Sequence, residues 1–212
     1  MKRSARIVIG SLALAVGAVP ATMTTASAQV APGETSLAEV LTSDGNKFDK
    51  NAKDFDIVTE AALAVIGAKP DTPVALLADG STRLTAFAPT DQAFRLLAKD
   101  LTGKTIRSEK KVFSTLVEAA GVDTIETVLL YHVVAGKTLT SNKVLKADGA
   151  RLKTAAGATV KVKIRQHPLT ITLKDRDRDD RDARVVLKAI DVNKGNKQVA
   201  HGVDRVLRPI NL

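Results

Sequence analysis

The stretch TAFAPTDQAF at residues 85–94 decides the fold, because it joins a strand to a helix through one short turn. Residues 84–88 predict a β-strand, and Pro89 ends it because proline has no N–H for a strand ladder. Thr90 is predicted to cap the following helix, with Asp91 in the first turn, where the helix dipole favours a negative charge. The segment therefore predicts a strand-to-helix connection at the centre of one domain.

Helical patterns lie on both sides of this stretch. Residues 56–67 carry apolar side chains on one helical face, with Asp56 expected as the cap and Gly67 at the end. Downstream, two more helices are predicted to begin near Ser108 and Asp123, and Gly121 is expected to separate them. The first half of the chain is therefore predicted to be mainly helical.

The periodicity changes to two after Tyr131. Residues 159–164 and 169–173 alternate apolar and polar side chains, which is typical of half-buried antiparallel strands. Two further strands are predicted at 184–192 and 203–207. Helices followed by strands predict an α+β fold with a mainly antiparallel sheet.

The first residues have the pattern of a secretory signal peptide. A basic start that includes Lys2 and Arg3 precedes an apolar run at 7–19, and small residues end at Ala28. We predict cleavage after Ala28, a short flexible leader at 29–35, and a single domain at 36–212. The sequence thus predicts a secreted, extracellular protein, and no later stretch is apolar enough to span a membrane.

Composition narrows the possible partners. The chain has no cysteine, so no disulfide can form. Exported proteins without disulfides are commoner in bacteria than in animals. The net charge is +9, or +6 without the three basic residues of the predicted signal peptide. This charge favours contact with acidic polymers or cell surfaces. Nucleic acid is not an expected partner, because the charges are scattered and aromatic residues are few.

Three segments identify a family resemblance. Residues 85–94, LLYHVVAGK at 129–137 and AHGVDRVLRP at 200–209 together resemble the signatures of the fasciclin (FAS1) domain family. Gly202 replaces the aliphatic residue that is usual in the last of them. The motif residues that carry the resemblance are Thr85, Phe87, Pro89, Thr90, Asp91, Phe94, His201, Asp204 and Pro209.

The resemblance implies a fold, a function and candidate contact residues. It implies a wedge-shaped antiparallel β-sandwich flanked by helices of the N-terminal half, in an extracellular adhesion protein without enzyme activity. In animal members the Tyr-His segment is associated with integrin recognition, which makes Tyr131 and His132 candidate partner-binding residues. Their other interpretation is structural: the ring fills the core and the imidazole bonds a nearby carbonyl, and His201 is expected to be structural too.

A second candidate contact surface follows from strand geometry alone. The strand period places Lys161, Lys163 and Arg165 together on the solvent face of the sheet, where a basic strip is predicted. The strip is also expected to include Arg151, Lys153 and Lys174. This strip is either an ordinary solvated face or a binding site for an acidic cell-wall or matrix polysaccharide.

Catalytic, metal and cofactor sites are not predicted. No G-x-S-x-G elbow and no cysteine are present, and His132, His167 and His201 lack the spacing of a zinc site. The aspartates that begin at 175 imitate the start of a calcium loop. That loop fails because Asp180 and Val186 stand where glycine and glutamate are required. We expect a solvated, self-paired hairpin loop at 174–184 instead.

These observations predict a protein that mediates cell adhesion or surface and matrix interaction by non-catalytic binding. Its expected partner is an extracellular protein or an acidic polysaccharide. The alternative is an extracellular carrier of a small ligand or lipid, which would use an apolar gap between the helices and the sandwich.

Overall fold

The computed structural model describes residue 31 and residues 33–210; the predicted signal peptide and cleavage site lie outside these residues. The helices are α1 Leu37–Leu41, α2 Asp56–Ala68, α3 Asp91–Thr102, α4 Glu109–Tyr131 and α5 Ser141–Val144, with 3₁₀ turns at Pro73–Ala78 and Leu187–Ala189. The strands are β1 Leu84–Pro89, β2 Val133–Ala135, β3 Arg151–Lys153, β4 Thr159–Gln166, β5 Leu169–Lys174, β6 Ala183–Arg184 and β7 Gln198–Val203.

The strands form two sheets. One has the order β2-β1-β7, in which β1 pairs antiparallel with β2 and parallel with β7. The other has the order β3-β4-β5-β6 and is antiparallel throughout. Side chains from both sheets, including Phe87 and Val203 of the first and Val162 and Leu173 of the second, share one buried core. The fold is therefore α+β with mostly antiparallel strands, as predicted.

The helices form a separate layer with its own core. Ile57 and Val65 of α2 pack with Phe94 and Leu97 of α3 and with Leu116 of α4. Gly121 interrupts α4 with φ 72° and ψ 164°, a conformation that glycine adopts without the strain of a side chain. The two helices predicted from Ser108 and Asp123 are thus confirmed as the two halves of a kinked α4. In the described part of the chain, no helix is both long and apolar enough to cross a bilayer.

Of two predicted helix caps, one is wrong and the other is confirmed in position only. Asp56 lies inside the first turn of α2 and does not cap it; the N-cap residue is Phe55, without a side-chain bond. The backbone N–H of Ile57 instead donates to Asp91 Oδ1 at 2.9 Å, so α3 supplies the cap of α2. Thr90 occupies the N-cap position of α3, but its side chain makes no capping bond. Asp91 is therefore placed by tertiary packing, which local sequence rules do not describe.

Two predicted strands are also wrong. Residues 184–192 contain a 3₁₀ turn, and only Val185 and Val192 keep isolated bridges, to Val203 and Ala200. The last strand is Gln198–Val203, upstream of the predicted 203–207. All six residues of β7 are buried. A strand covered on both faces shows no alternation, and this explains the misplacement.

The N-terminal edge of the described chain contacts the turn before β7. The N–H of Thr35 donates to Asn196 Oδ1 at 3.1 Å, and the N–H of Lys197 donates to the Gly33 carbonyl at 3.0 Å. These bonds hold residues 33–35, predicted as part of the leader, against the first sheet.

Gly202 provides a test of this packing. A Cβ atom at Gly202 would lie 2.8 Å from Ala189 Cβ and 3.2 Å from Phe55 Cζ, whereas one at the exposed Gly67 in α2 would meet nothing within 4 Å. We expect Gly202→Ala to lower the free energy of unfolding by about 1–3 kcal/mol through overpacking. Gly67→Ala should raise it by about 0.5–1 kcal/mol, because alanine favours the helix.

Urea unfolding of both variants beside the wild type makes the comparison. Equal or greater stability of Gly202→Ala than of Gly67→Ala would contradict the close approach of Ala189 and Phe55 to β7.

Candidate functional site

Tyr131 and His132 lie in the interior. Tyr131 is fully buried and donates its hydroxyl to the Thr159 carbonyl at 3.2 Å. Burial raises the pKa of this hydroxyl to about 12. His132 is 4% exposed; its Nδ1 lies 2.7 Å from the Val128 carbonyl, and its Nε2 accepts the Leu207 N–H at 2.8 Å. The imidazole therefore joins the end of α4 to the C-terminal segment, and neither side chain offers a surface to a partner.

Most of the remaining motif residues are also internal. Thr85 is fully buried; its Oγ1 donates to the Lys137 carbonyl and accepts the Leu139 N–H at 2.8 Å. His201 Nε2 lies 2.7 Å from the Leu139 carbonyl, and the His201 and Phe87 rings are 5.9 Å apart. Pro89, Thr90 and Phe94 are buried and Pro209 is half-buried. These residues fix the strand packing.

His201 and Asp204 do not interact with each other through hydrogen bonds. Asp204 accepts the Arg184 N–H at 2.7 Å and the Arg181 guanidinium at 2.8 Å. His201 bonds the Leu139 carbonyl and accepts the Asp191 N–H at 3.3 Å. Desolvation lowers the pKa of His201, so the imidazole is held neutral. The arrangement gives each side chain a structural partner.

The charged 174–184 loop differs from the prediction of a self-paired, solvated loop. Asp177 is 5% exposed and lies 3.0 Å from the guanidinium of Arg208, which is itself 5% exposed. Arg208 also contacts Asp100 at 2.6 Å, and Arg205 contacts Asp180 at 2.5 Å. The loop is therefore tied to the C-terminal segment, because the arginines that follow β7 compete for its carboxylates.

The solvent face of the four-stranded sheet is strongly basic. Strand register places Lys161 of β4 directly between Arg151 of β3 and Lys174 of β5. Lys163 is opposite Thr172, which is opposite Arg184 of β6. The cations that share this face, which we call the basic face, are Arg151, Lys153, Lys161, Lys163, Arg165, Lys174 and Arg184.

Little of this charge is compensated locally. Among the ion pairs of the described residues, the basic face contributes only Lys174 with Asp182 at 3.4 Å. Asp148 lies at its edge and accepts the Ile164 N–H at 2.8 Å. Like charges directly opposite each other on neighbouring strands destabilise a sheet. The basic face therefore concentrates positive charge across four neighbouring strands.

The strand pairing brings together the predicted Lys161, Lys163 and Arg165, since they alternate along β4. Sequence reasoning did not include Arg184, because it was assigned to a longer strand of unknown neighbours. Arg184 lies at the end of the charged loop, where the strand that pairs antiparallel with β5 begins. This position could have assigned Arg184 to the basic face from the sequence.

An apolar cavity of about 270 Å³ lies within the helical layer. Side chains of α2, α3 and both halves of α4 line it, among them Ile57, Phe94, Leu97, Phe113 and Val128. The gap predicted between helices and sheet holds only about 50 Å³. Any apolar ligand would therefore be expected among the helices.

The comparison with protein families agrees with the signatures. The family model of the fasciclin domain matches residues 71–209. A solved pair of FAS1 domains from the insect cell adhesion molecule fasciclin I is similar at 14% identity, with a TM-score of 0.45, over 72% of this chain. The chain spans 43% of the length of that solved chain. No curated protein matches in sequence.

The buried His132 makes stability depend on pH. Burial lowers its pKa to about 4, against about 6.5 in an unfolded chain. Between these values the unfolded chain binds more protons, so the stabilisation is complete above pH 6.5 and is lost as the pH falls towards 4. The expected loss is about 3 kcal/mol.

The measurement is urea unfolding of the wild type and His132→Gln at pH 7 and pH 4. Glutamine keeps an acceptor for Leu207 but does not titrate. The wild type should exceed His132→Gln in free energy of unfolding by less at pH 4 than at pH 7. An unchanged difference between the two proteins would contradict a buried neutral imidazole. Burial raises the pKa of Asp56 and Asp175 to about 6, which acts in the opposite direction, but both groups are present in the two proteins.

Proposed function

Because the chain belongs to the fasciclin family of adhesion and extracellular-interaction domains, we propose that it is a secreted, non-catalytic binding module that attaches to an acidic polysaccharide of a cell surface or matrix. The observation that carries this proposal is the basic face, which has cations on four neighbouring strands and three of them, Arg151, Lys161 and Lys174, in one row across the sheet. Lys161, Lys163 and Arg165 are its proposed central contacts.

The geometry of the basic face suits a linear polyanion. Neighbouring strands are about 4.8 Å apart, and alternate residues of one strand are about 6.6 Å apart. The cations therefore form a grid rather than a point, and a flexible chain of sulfates or carboxylates can contact several of them at once. Thr170 and Thr172 lie on the same face and add hydroxyl groups for hydrogen bonding.

This mode of recognition is distinct from that of an acidic protein partner. A protein would need a complementary surface with a fixed shape and apolar anchors at its centre. The basic face consists mainly of lysine, arginine and threonine side chains, with Asp148 and Asp182 beside them, which favours a partner recognised by charge. A polymer is therefore the better match, and an extracellular protein remains the outcome to expect if polymers fail to bind.

Charge reversal tests the proposal. Lys161→Glu with Lys163→Glu should elute from a heparin column at clearly lower salt than the wild type, because two central contacts become repulsive. The matched control is Lys104→Glu with Lys111→Glu, two exposed lysines that lie after α3 and in α4 and change the net charge equally. Equal retention of both double variants would show that only net charge matters, and unchanged retention of the first would exclude the basic face.

Secretion is tested separately by the mass of the exported protein. A species that begins at Gln29 would support cleavage after Ala28. Retention of residues 1–28 would contradict it.

The helical cavity favours a carrier of a small apolar ligand as the second candidate. Its volume is slightly below the range of about 300–1,000 Å³ typical of ligand sites. If the protein is a carrier, native mass spectrometry should detect a stoichiometric apolar ligand. Val128→Phe should displace this ligand by filling the cavity, whereas the reversal of Lys161 and Lys163 should not. Empty wild-type protein would exclude the carrier.

A further inference from the structure

Five carboxylates meet where the helical layer begins. Asp49 and Asp54 come from the loop before α2, Asp56 from the first turn of α2, Asp91 from the first turn of α3 and Glu109 from the first residue of α4. Sequence separation hides this cluster, because its members extend over 60 residues and belong to four segments. We call it the acidic junction.

The acidic junction consists of two groups that share Asp54. One oxygen each of Asp49, Asp54 and Asp56 lie within 4.8 Å of one another, and so do one oxygen each of Asp54, Asp91 and Glu109. Asp91 is fully buried, and Glu109 and Asp56 are 1% and 4% exposed. These separations fit oxygens bound to one Ca²⁺, which lie at most about 4.6–5.2 Å apart.

Two buried oxygens in the junction lack a donor. Asp91 Oδ1 accepts the Ile57 N–H, but Asp91 Oδ2 has no hydrogen-bond partner, and neither has Asp54 Oδ1. Buried polar atoms are nearly always satisfied, so an unpartnered carboxylate oxygen of a fully buried residue requires a counterpart. That counterpart is either a proton or a cation.

The charge around these oxygens favours a cation. Within the described chain, the only ion pair of the five carboxylates is between Glu109 and Arg95, at 2.8 Å. A proton shared by Asp54 and Asp91 would satisfy that pair but would leave Asp49 and Asp56 facing further negative charge. One divalent ion between the two groups would compensate the negative charge of both.

The donor chemistry selects the ion. All candidate ligands are carboxylate oxygens, which hard cations prefer, and the chain has no cysteine. Mg²⁺ keeps several waters and takes few carboxylates, whereas Ca²⁺ accepts six to eight oxygens in irregular geometry. The number of carboxylates and their irregular origin from four segments therefore favour Ca²⁺.

We propose that the acidic junction binds one Ca²⁺ through Asp54, Asp91 and Glu109, with Asp49 and Asp56 completing the negative shell. The ion ties the 49–54 loop to the beginnings of α2, α3 and α4. The Asp49 N–H already donates to Glu109 Oε2 at 2.6 Å, so the loop is held in position for the ion. The affinity expected for an extracellular module is in the range of about 10⁻⁴–10⁻³ M.

Calorimetric titration of the chelator-treated full chain with CaCl₂ tests the proposal, together with its thermal midpoint with and without Ca²⁺. The wild type should bind one ion and melt at a higher temperature with Ca²⁺. Asp54→Asn, which removes the carboxylate shared by both groups, should bind at least about tenfold more weakly. Asp71→Asn, an exposed carboxylate outside the junction, is the matched control and should behave as the wild type.

A proton shared by Asp54 and Asp91, without a metal, predicts a different response to added Ca²⁺. Without Ca²⁺, Asp54→Asn should be more stable than the wild type in either case, because a repelling charge is gone. Only a calcium site makes the wild type regain the difference when Ca²⁺ is added. Three results would overturn the proposal: no wild-type binding at 10 mM CaCl₂, unchanged binding by Asp54→Asn, or equal binding of Mg²⁺. The concentration of 10 mM is at least about ten times the expected dissociation constant. Asp91→Asn, which keeps an acceptor for Ile57, provides an independent second variant.

Discussion

Complete burial of β1 is the constraint on which the rest of the structure depends. All six residues of Leu84–Pro89 are buried, since β2 and β7 cover both edges and the two cores cover both faces. A strand in this position must satisfy its backbone groups within the protein, which fixes the parallel register of β1 with β7. It also forces the chain to leave through Pro89 into α3, and this turn delivers Asp91 to the beginning of α2.

Sequence reasoning was successful where one residue type had one physical role. Gly121 permits a backbone conformation unfavourable for other residues, and the alternation in β4 and β5 follows directly from a half-buried sheet. These features are local, so a single segment contains all the information that they require. The α+β layout followed from them.

Reasoning from segments failed where the partner came from a distant part of the chain. Asp91 caps α2 through the N–H of Ile57, which lies 34 residues earlier in the chain. Arg208 takes Asp177 away from the expected local pairing within its loop. The acidic junction is the extreme case, because no window of the sequence contains its members and only the packing of α2, α3 and α4 brings them together. Long-range electrostatics was therefore the part of the structure least accessible from the sequence.

The residues that identify the family and the residues proposed to bind a partner belong to different layers of the molecule. Thr85, Phe87, His132 and His201 are buried and bond backbone groups or neighbouring rings, so a substitution there changes stability first. The basic face alternates with the core along the same strands but points to solvent, where its side chains can change without disturbing the core. The signatures thus specify a scaffold. Its partner is specified by the exposed half of each strand, whose composition the scaffold leaves free.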